Sequence, residues 1–317
     1  MTPIGLRMAE SLRELHRVLD VADDLRTGLL AAAKHLESGG RLAPDAYDKY
    51  FRILRSVQIE EGEPIDDLLA DLAASPLPDG SGIAIRMLGF EEFGRTGIRV
   101  ARGHFASDSL LHTQMKAVPA SAHVRMRRRL KDALSIIQSY APNAWLDVSR
   151  ITTEIIAAYG ASRGYMTFDG CSSLERYGSI LVNIRRKRTP LVLAETLVHE
   201  SAHSLLFALS CNDNRVLNPP TERHKSPLRI DPRPLDGIYH AVFVLARMHG
   251  FLAEVAQNPF APTLLRNEAE SLLEDRETAF MDGRAVLLEH AKLTEIGRDL
   301  LEDAYDRVQS AKRAVAA

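Results

Sequence analysis

Cysteine is scarce in this 317-residue chain, which contains two, Cys171 and Cys211. Two cysteines do not make the disulfide framework that is typical of small secreted domains, so we expect a protein of the reducing cytoplasm. An excess of charge is also missing, since 40 lysines and arginines nearly balance 42 aspartates and glutamates and leave a net charge of −2. Composition therefore gives no general argument for nucleic acid as a partner.

Long apolar runs are absent as well. No stretch reaches the ~18 uncharged apolar residues of a membrane span, and the first twenty residues carry charges every few positions, unlike a signal peptide. We therefore expect neither a membrane segment nor export. Hydrophobic residues make up 45% of the chain and charged residues 26%, which is the composition of an ordinary globular protein with one large domain or two modest ones.

Apolar periodicity predicts a mainly helical protein with a small β-sheet, an α+β fold. The predicted helices cover residues 6–37, 44–59, 119–140, 190–210, 237–252, 262–289 and 294–315. Short strands are predicted within the glycine-interrupted segment 83–105, and a further strand over 177–184. Because the sequence Ala141-Pro142-Asn143 breaks a helix, we predict a helical N-terminal region, 1–143, and a metal-binding catalytic region, 144–317, with one continuous domain as an equal alternative.

The stretch with the most specific chemistry is His199-Glu200-Ser201-Ala202-His203, an HExxH motif inside the apolar run 190–210. Positions i and i+4 lie on one face of a helix, so the two imidazoles can hold one transition-metal ion. The glutamate between them can reach a metal-bound water. Thr189 suits the N-cap of this helix, and Pro190 suits its first position. The motif therefore predicts a metal site on a buried helix.

A metal held by two histidines needs at least one further protein ligand. The HExxHxxGxxH extension of one protease family fails here, because leucine stands at both positions, Leu206 and Leu209. The next predicted helix presents His240 near its start, and an antiparallel partner helix would bring this histidine to the metal. We predict three ligands: His199, His203 and His240. The alternatives for the third ligand are other ionisable residues that follow the motif: Glu222, His224, Asp231, Asp236 and Glu254.

Three arginines form a second group of candidate functional residues. Arg229 and Arg233 flank a proline-rich turn, and Arg247 lies seven residues after His240 on the same helical face. Arginine can bind a planar carboxylate through two parallel hydrogen bonds. A zinc hydrolase does not need such a cation beside its metal, whereas a 2-oxoglutarate-dependent iron site needs one for the distal carboxylate of the cosubstrate. These three arginines are therefore candidate 2-oxoglutarate-binding residues.

The motif HESAH, the linker SPLRIDPRPLDG and the segment GIYHAVFVLAR together resemble the HExxH-motif peptide-modification proteins of ribosomal peptide natural-product clusters. The resemblance is strongest over residues 195–250. It implies a non-haem Fe(II), 2-oxoglutarate-dependent enzyme that uses O2 to hydroxylate side chains, typically at Cβ, in a precursor peptide. By position it implies three iron ligands: His199, His203 and His240. It further implies that Glu200 either supports a metal ligand from behind or handles protons near the metal, and that an arginine of the 229–233 segment binds 2-oxoglutarate.

Three histidines depart from the usual iron triad of two histidines and one carboxylate, and they also suit zinc. The alternative is therefore a zinc metallopeptidase, in which Glu200 would be the general base on a zinc-bound water. Either activity suits a strand just before the motif helix, because an extended edge can hold a peptide by strand addition across the metal. A third class is a non-catalytic module with a structural metal closed by four protein ligands.

Overall fold

The computed structural model of the chain describes residues 3–18, 23–58, 65–77, 82–105, 115–160, 168–186, 188–210, 213–228 and 231–316. In this part of the chain the helices are α1 (Pro3–Val18), α2 (Asp23–Glu37), α3 (Pro44–Gln58), α4 (Ile65–Ala73), α5 (Phe90–Phe105), α6 (His123–Tyr140), α7 (Pro142–Ile151), α8 (Pro190–Ser210), α9 (Leu235–Gln257), α10 (Thr263–His290) and α11 (Glu295–Ala316). The strands are β1 (Ala84–Met87), β2 (Glu154–Ala158), β3 (Gly170–Ser172), β4 (Ser179–Asn183), β5 (Arg223–His224) and β6 (Arg233–Pro234).

The first two helices pack against each other, so the prediction of one helix over 6–37 is wrong. The guanidinium of Arg13 donates two hydrogen bonds, of 2.8 and 2.7 Å, to the carboxylate of Glu37. In one continuous helix these residues, 24 positions apart, would be separated by about 36 Å. The apolar stripe repeats with one period through both helices because both bury a face in the same N-terminal core, which includes Leu12, Leu29 and Leu36.

Four strands form one mixed sheet in the order β1-β2-β4-β3. The pairs β1–β2 and β2–β4 are parallel, whereas β3 runs antiparallel to β4. Every residue of β2 and β4 is buried, as in central strands that are covered on both faces. The strand predicted over 177–184 is confirmed as β4, but it lies inside the sheet. Its own edges therefore cannot accept a peptide, and the strand at this edge of the sheet is β3.

The segment 83–105 holds one strand, β1, followed by a helix, α5, so the prediction of short strands is correct only for its beginning. Gly94 has a φ of +62° and interrupts the helix. Glycine adopts such a φ without steric cost, because it has no Cβ. Gly94 therefore bends a helix and does not separate strands.

The buried helix α8 contacts helices α1, α6, α7, α9 and α10 and strands β3 and β4. The predicted helices 44–59, 119–140, 190–210, 237–252, 262–289 and 294–315 are confirmed to within a few residues as α3, α6, α8, α9, α10 and α11. The predicted class, mainly α with a small sheet, is confirmed too. None of the helices in the described part of the chain is long and apolar enough to cross a membrane.

The proposed boundary between residues 143 and 144 falls inside α7. One large core cluster draws residues from both sides of it: Met87 and Leu130 before the boundary, and Ile155 and Phe251 after it. Strand β1, which precedes the boundary, also pairs with β2, which follows it. The N-terminal region thus contributes directly to the sheet that supports α8.

Candidate metal centre

The motif helix begins as its sequence predicts. The backbone N–H of Val192 donates a hydrogen bond of 3.2 Å to Oγ1 of Thr189, which is therefore an N-capping side chain. Pro190 occupies the first helical position, where a missing N–H costs nothing. From this start the helix continues through two buried turns to His199 and His203, which lie one turn apart.

Three imidazoles form a chain of contacts between α8 and α9. Nε2 of His199 lies 3.3 Å from Nε2 of His203, and Nδ1 of His203 lies 3.3 Å from Nδ1 of His240. Two nitrogens bound to one tetrahedral zinc ion, each at about 2.05 Å, would be separated by about 3.3 Å. The spacing of the His199–His203 pair therefore fits a shared metal ion.

The position of His240 is different, because His203 lies between the other two rings and presents a different nitrogen to each. One imidazole cannot bind one metal ion through both ring nitrogens. For His240 to join a metal held by His199 and His203, its ring must therefore turn past that of His203. Among the residues that the structure describes, no group of three or more His, Cys, Asp or Glu side chains is arranged as a ready-made metal site.

Burial keeps two of these imidazoles, those of His203 and His240, neutral at neutral pH. It lowers the pKa of His203 well below its usual value, and the neighbouring His199 and His240 lower it further. Burial is also the main cause that lowers the pKa of His240 to about 4; Arg215 lowers it further, and Asp236 opposes the change. Neutral imidazole is the form that binds metal ions. His203 and His240 therefore need no deprotonation before they bind a metal.

Arg215 lies against the histidines, and nothing in the sequence pattern pointed to it. Its Nη2 contacts both Nε2 of His240 and Oδ1 of Asp236 at 2.9 Å, and its Nη1 donates a 2.6 Å hydrogen bond to Oγ of Ser210. The residue is only 9% exposed. The sequence shows only an arginine five residues after the end of the motif helix, and its burial and contacts become visible only in the fold. The structure thus brings a cation to the histidine cluster from the linker that follows α8.

The arginines predicted from the sequence have other surroundings. Arg229 lies outside the described residues. Arg233, on β6, forms an ion pair of 2.9 Å with Asp231, and both side chains are exposed. Arg247, on α9, is buried, donates a 3.2 Å hydrogen bond to Asp303 and lies over the ring of Phe243. The contacts of Arg233 and Arg247 are thus to carboxylates and an aromatic ring and do not involve the histidines.

Four of the five rival ligands have partners away from the cluster: Glu222, His224, Asp231 and Glu254. The first two pair with each other, Asp231 pairs with Arg233, and Glu254 accepts a hydrogen bond from the backbone of Asn143. Asp236 is the exception, because its Oδ2 lies 3.7 Å from Nε2 of His240. Of the rivals, Asp236 is therefore the one that the structure brings to the histidines.

Glu200 lies between the histidine pair and the edge strand β3. Its Oε1 is 3.9 Å from Nε2 of His199, and its carboxyl group is hydrogen-bonded to Ser172 on β3. Burial, helped by the charge of Asp169, raises the pKa of Glu200 to about 8. A carboxyl with this pKa can give or take a proton near neutral pH, so Glu200 has the position and the acidity of a proton-transfer group.

Gly170 is the residue that allows Glu200 to approach β3. A Cβ at this position would lie 2.6 Å from Oε1 of Glu200. We expect Gly170→Ala to lower the free energy of unfolding by about 1–3 kcal/mol, the usual cost of overpacking, as measured by urea denaturation. Gly103→Ala is the matched control, because a Cβ there meets nothing within 4 Å. Equal stability of the two variants would contradict the close contact of Gly170 with Glu200.

A scan against models of known protein families finds no match to this chain, and a search of curated proteins finds no relative.

Proposed function

We propose that this protein is an Fe(II)- and 2-oxoglutarate-dependent dioxygenase that hydroxylates side chains, at Cβ, in a ribosomally made precursor peptide. The observation that carries the proposal is the chain of three imidazoles on two adjacent helices, with a buried arginine against the third of them. A reducing compartment such as the cytoplasm suits this chemistry, since it maintains Fe(II) and keeps cysteine thiols reduced.

The donor set fits a transition metal of intermediate softness, since imidazole suits iron, zinc, copper and nickel alike. The motif helix α8, packed against the histidine-bearing helix α9, would be the scaffold of the metal site. His199 and His203 would hold the metal through their Nε2 atoms, and His240 would become the third ligand after its ring turns. Fe(II) with 2-oxoglutarate and O2 would supply the oxidising power that breaks a Cβ–H bond of the peptide.

Arg215 is the residue that favours 2-oxoglutarate as the cosubstrate. Its guanidinium is held in place by Ser210 and Asp236, and one N–H of Nη2 points at His240. When His240 turns towards the metal, this N–H loses its acceptor. The distal carboxylate of 2-oxoglutarate would then accept it as a charge-assisted hydrogen bond. Arg215 thus takes the role that the sequence alone suggested for Arg229, Arg233 or Arg247.

The edge strand β3 offers a place for the peptide. In the described part of the chain β3 pairs with β4 on one side and has no strand partner on the other. An extended peptide could add to this edge of the sheet through backbone hydrogen bonds. Since Glu200 is hydrogen-bonded to Ser172 of the same strand, such a peptide would pass close to the motif helix. Glu200 would then hold or transfer a proton beside the peptide.

Anaerobic reconstitution with Fe(II), followed by addition of 2-oxoglutarate, O2 and a precursor peptide encoded beside the gene, tests the function. We expect succinate formation that requires both Fe(II) and 2-oxoglutarate, together with the gain of one oxygen atom by the peptide, measured by mass spectrometry. Succinate formation no faster than that of a His203→Ala control would rule the proposal out.

Arg215→Met tests the cosubstrate site separately. We expect it to weaken binding of 2-oxoglutarate to the anaerobic Fe(II) protein by about 10- to 100-fold, the loss typical of a charge-assisted hydrogen bond, while Fe(II) binding changes little. Isothermal titration calorimetry measures both. The control is Arg233→Met, whose guanidinium pairs with Asp231 at the surface and should not affect 2-oxoglutarate binding. If Arg233→Met loses 2-oxoglutarate binding and Arg215→Met does not, the cosubstrate is bound by Arg233.

The second candidate is a zinc metallopeptidase, and the position of Glu200 favours it. A carboxyl group 3.9 Å from Nε2 of His199 and hydrogen-bonded to an edge strand suits a general base that acts on a peptide bond at that strand. The two candidates differ in their products. Cleavage of the precursor peptide by the zinc-loaded protein, abolished in Glu200→Gln, would favour the peptidase. A peptide that stays intact and gains oxygen would favour the hydroxylase.

A further inference from the structure

A cavity of about 530 Å³ lies between α7, α8, α9 and α11. It touches the face of α8 that carries Val198, Ala202 and Leu205, and its walls include none of the three histidines. A volume of 300–1,000 Å³ is usual for pockets that bind small molecules. The protein therefore has a second concave site, separated from the metal centre by the motif helix.

A buried arginine with an unused donor lines this cavity. Arg247 is only 7% exposed, and its Nη2 donates to Asp303. Its Nη1 is buried and has no hydrogen-bond partner among the residues that the structure describes. A buried N–H group without a partner is costly, and a charged one more so. Because Arg247 lines the cavity, a rotation of its guanidinium would bring this donor to a bound carboxylate.

Carboxylates line the same cavity nearer to solvent. Asp147, Asp303 and Asp306 lie on its walls, and the side chains of Asp147 and Asp303 are 33% and 48% exposed. The cationic partner, Arg247, is deeper, with a side-chain exposure of 7%; its Nε lies 3.6 Å from Oδ2 of Asp147, and its Nη2 lies 3.2 Å from Oδ2 of Asp303. A ligand oriented by these charges would point an anionic group inward and a cationic group outward. Arg307 also lines the entrance but pairs with Asp303 at 3.1 Å, which leaves Asp147 and Asp306 to disfavour a simple anion there. A simple cation would be repelled at the buried end.

We propose that this cavity is a binding site for a small zwitterion, a free α-amino acid with an apolar side chain. Its carboxylate accepts hydrogen bonds from Arg247, and its ammonium group pairs with Asp147 and Asp306. Its side chain lies on the apolar floor formed by Val198, Leu205 and Phe251. The site is independent of the metal centre, so this inference does not rest on the function proposed above.

Isothermal titration calorimetry with L-leucine tests the site. We expect saturable binding of one molecule per chain. Leucinamide, which lacks the carboxylate, and 4-methylpentanoate, which lacks the ammonium group, should each bind about tenfold more weakly or worse, because each loses one charge-assisted contact. Absence of saturable binding of both L-leucine and L-phenylalanine would overturn the proposal. Equal binding of L-leucine and either analogue would overturn it too.

Two variants localise the binding. Gly250 lines the cavity, and a Cβ there meets nothing within 4 Å, so Gly250→Leu fills the cavity without a clash in the helix. We expect it to fold and to lose at least about tenfold in leucine affinity, the scale of one lost charge-assisted contact. Arg247→Met should lose as much. Unchanged leucine binding by a folded Gly250→Leu protein would overturn the assignment, even if Arg247→Met does not fold.

The matched control is Arg284→Met. Arg284 resembles Arg247 in lying over an aromatic ring, that of Tyr305, and in facing a carboxylate, that of Glu302, but it does not line the cavity. Leucine should bind this variant as tightly as it binds the wild type. Loss of leucine binding by Arg284→Met comparable to that of Arg247→Met would overturn the role given to Arg247.

Discussion

Replacing His203 by alanine is expected to lower the affinity of the protein for Fe(II) by more than about 100-fold. His203 is the central ring of the cluster, with one nitrogen 3.3 Å from His199 and the other 3.3 Å from His240. Loss of a group that merely orients a metal ligand already costs 10- to 100-fold in affinity, so loss of the ligand itself should cost more. Anaerobic equilibrium dialysis with Fe(II) measures the change.

His224→Ala is the matched control for this experiment. His224 is also partly buried in a histidine pair, since its ring stacks on that of His290 at 4.2 Å, but it has no contact with the α8–α9 cluster. Its replacement should leave Fe(II) affinity within about twofold of the wild type. Equal losses in the two variants would mean that the metal is bound elsewhere or without specificity. Circular dichroism of both metal-free variants checks that they fold.

His240→Ala separates the contribution of the third ring from that of the pair. Because Nδ1 of His240 faces the opposite side of His203 from His199, its removal leaves the 3.3 Å pair intact. If the ring of His240 turns to bind the metal, this variant should lose Fe(II) affinity nearly as far as His203→Ala. Retention of wild-type affinity would instead make Asp236, which lies 3.7 Å from His240, the candidate for the third ligand.

The sequence predicted those parts of the site that belong to one helix. The pair His199 and His203 follows from helical periodicity, and Thr189 and Pro190 mark the start of α8, because these are local properties of a continuous segment. The position of Arg215 could not be predicted in this way. Its contact with His240 depends on the direction that the chain takes after α8, and hydrophobic periodicity does not predict that direction.

The fold shows the same division between local and long-range properties. Helices α3, α6 and α8 were predicted to within a few residues, whereas the pairing of α1 with α2 was missed, since periodicity alone does not tell a helical hairpin from one long helix. The strand β4 was recognised, but its place inside the sheet depends on its pairing with β2, which was not predicted, and with β3, which has only three residues. The contacts between segments that are separated along the chain could thus not be predicted from the sequence.

One long-range feature is a buried ionic network that joins the N-terminal helices to the sheet. Glu154 on β2 is 5% exposed and accepts hydrogen bonds from Arg86, Arg176 and Ser179, at 2.9, 3.2 and 2.6 Å. Arg176 is 2% exposed and also pairs, at 2.6 Å, with Asp45 at the start of α3. Removal of one member would therefore leave charged partners buried without compensation.

Arg176→Met is expected to lower the free energy of unfolding by about 3–5 kcal/mol, the usual cost of breaking a buried ion pair from one side. Urea denaturation followed by circular dichroism measures it. The comparison is Arg7→Met, which removes an ion pair of similar length, 3.0 Å, to Asp213, whose two side chains are 58% and 53% exposed. This exposed pair should contribute far less, because solvent screens it and its side chains lose conformational freedom.

A double-mutant cycle tests whether the cost of Arg176→Met arises from the charge left on Glu154. If it does, combining Arg176→Met with Glu154→Gln should destabilise the protein by at least about 1 kcal/mol less than the sum of the two single changes, since neighbouring residues of one network couple on that scale. Strict additivity would mean that Arg176 acts through Asp45 and α3 instead. In that case the ion pair between Arg176 and Asp45, and not the buried charge on β2, would fasten the N-terminal helices to the sheet beside α8.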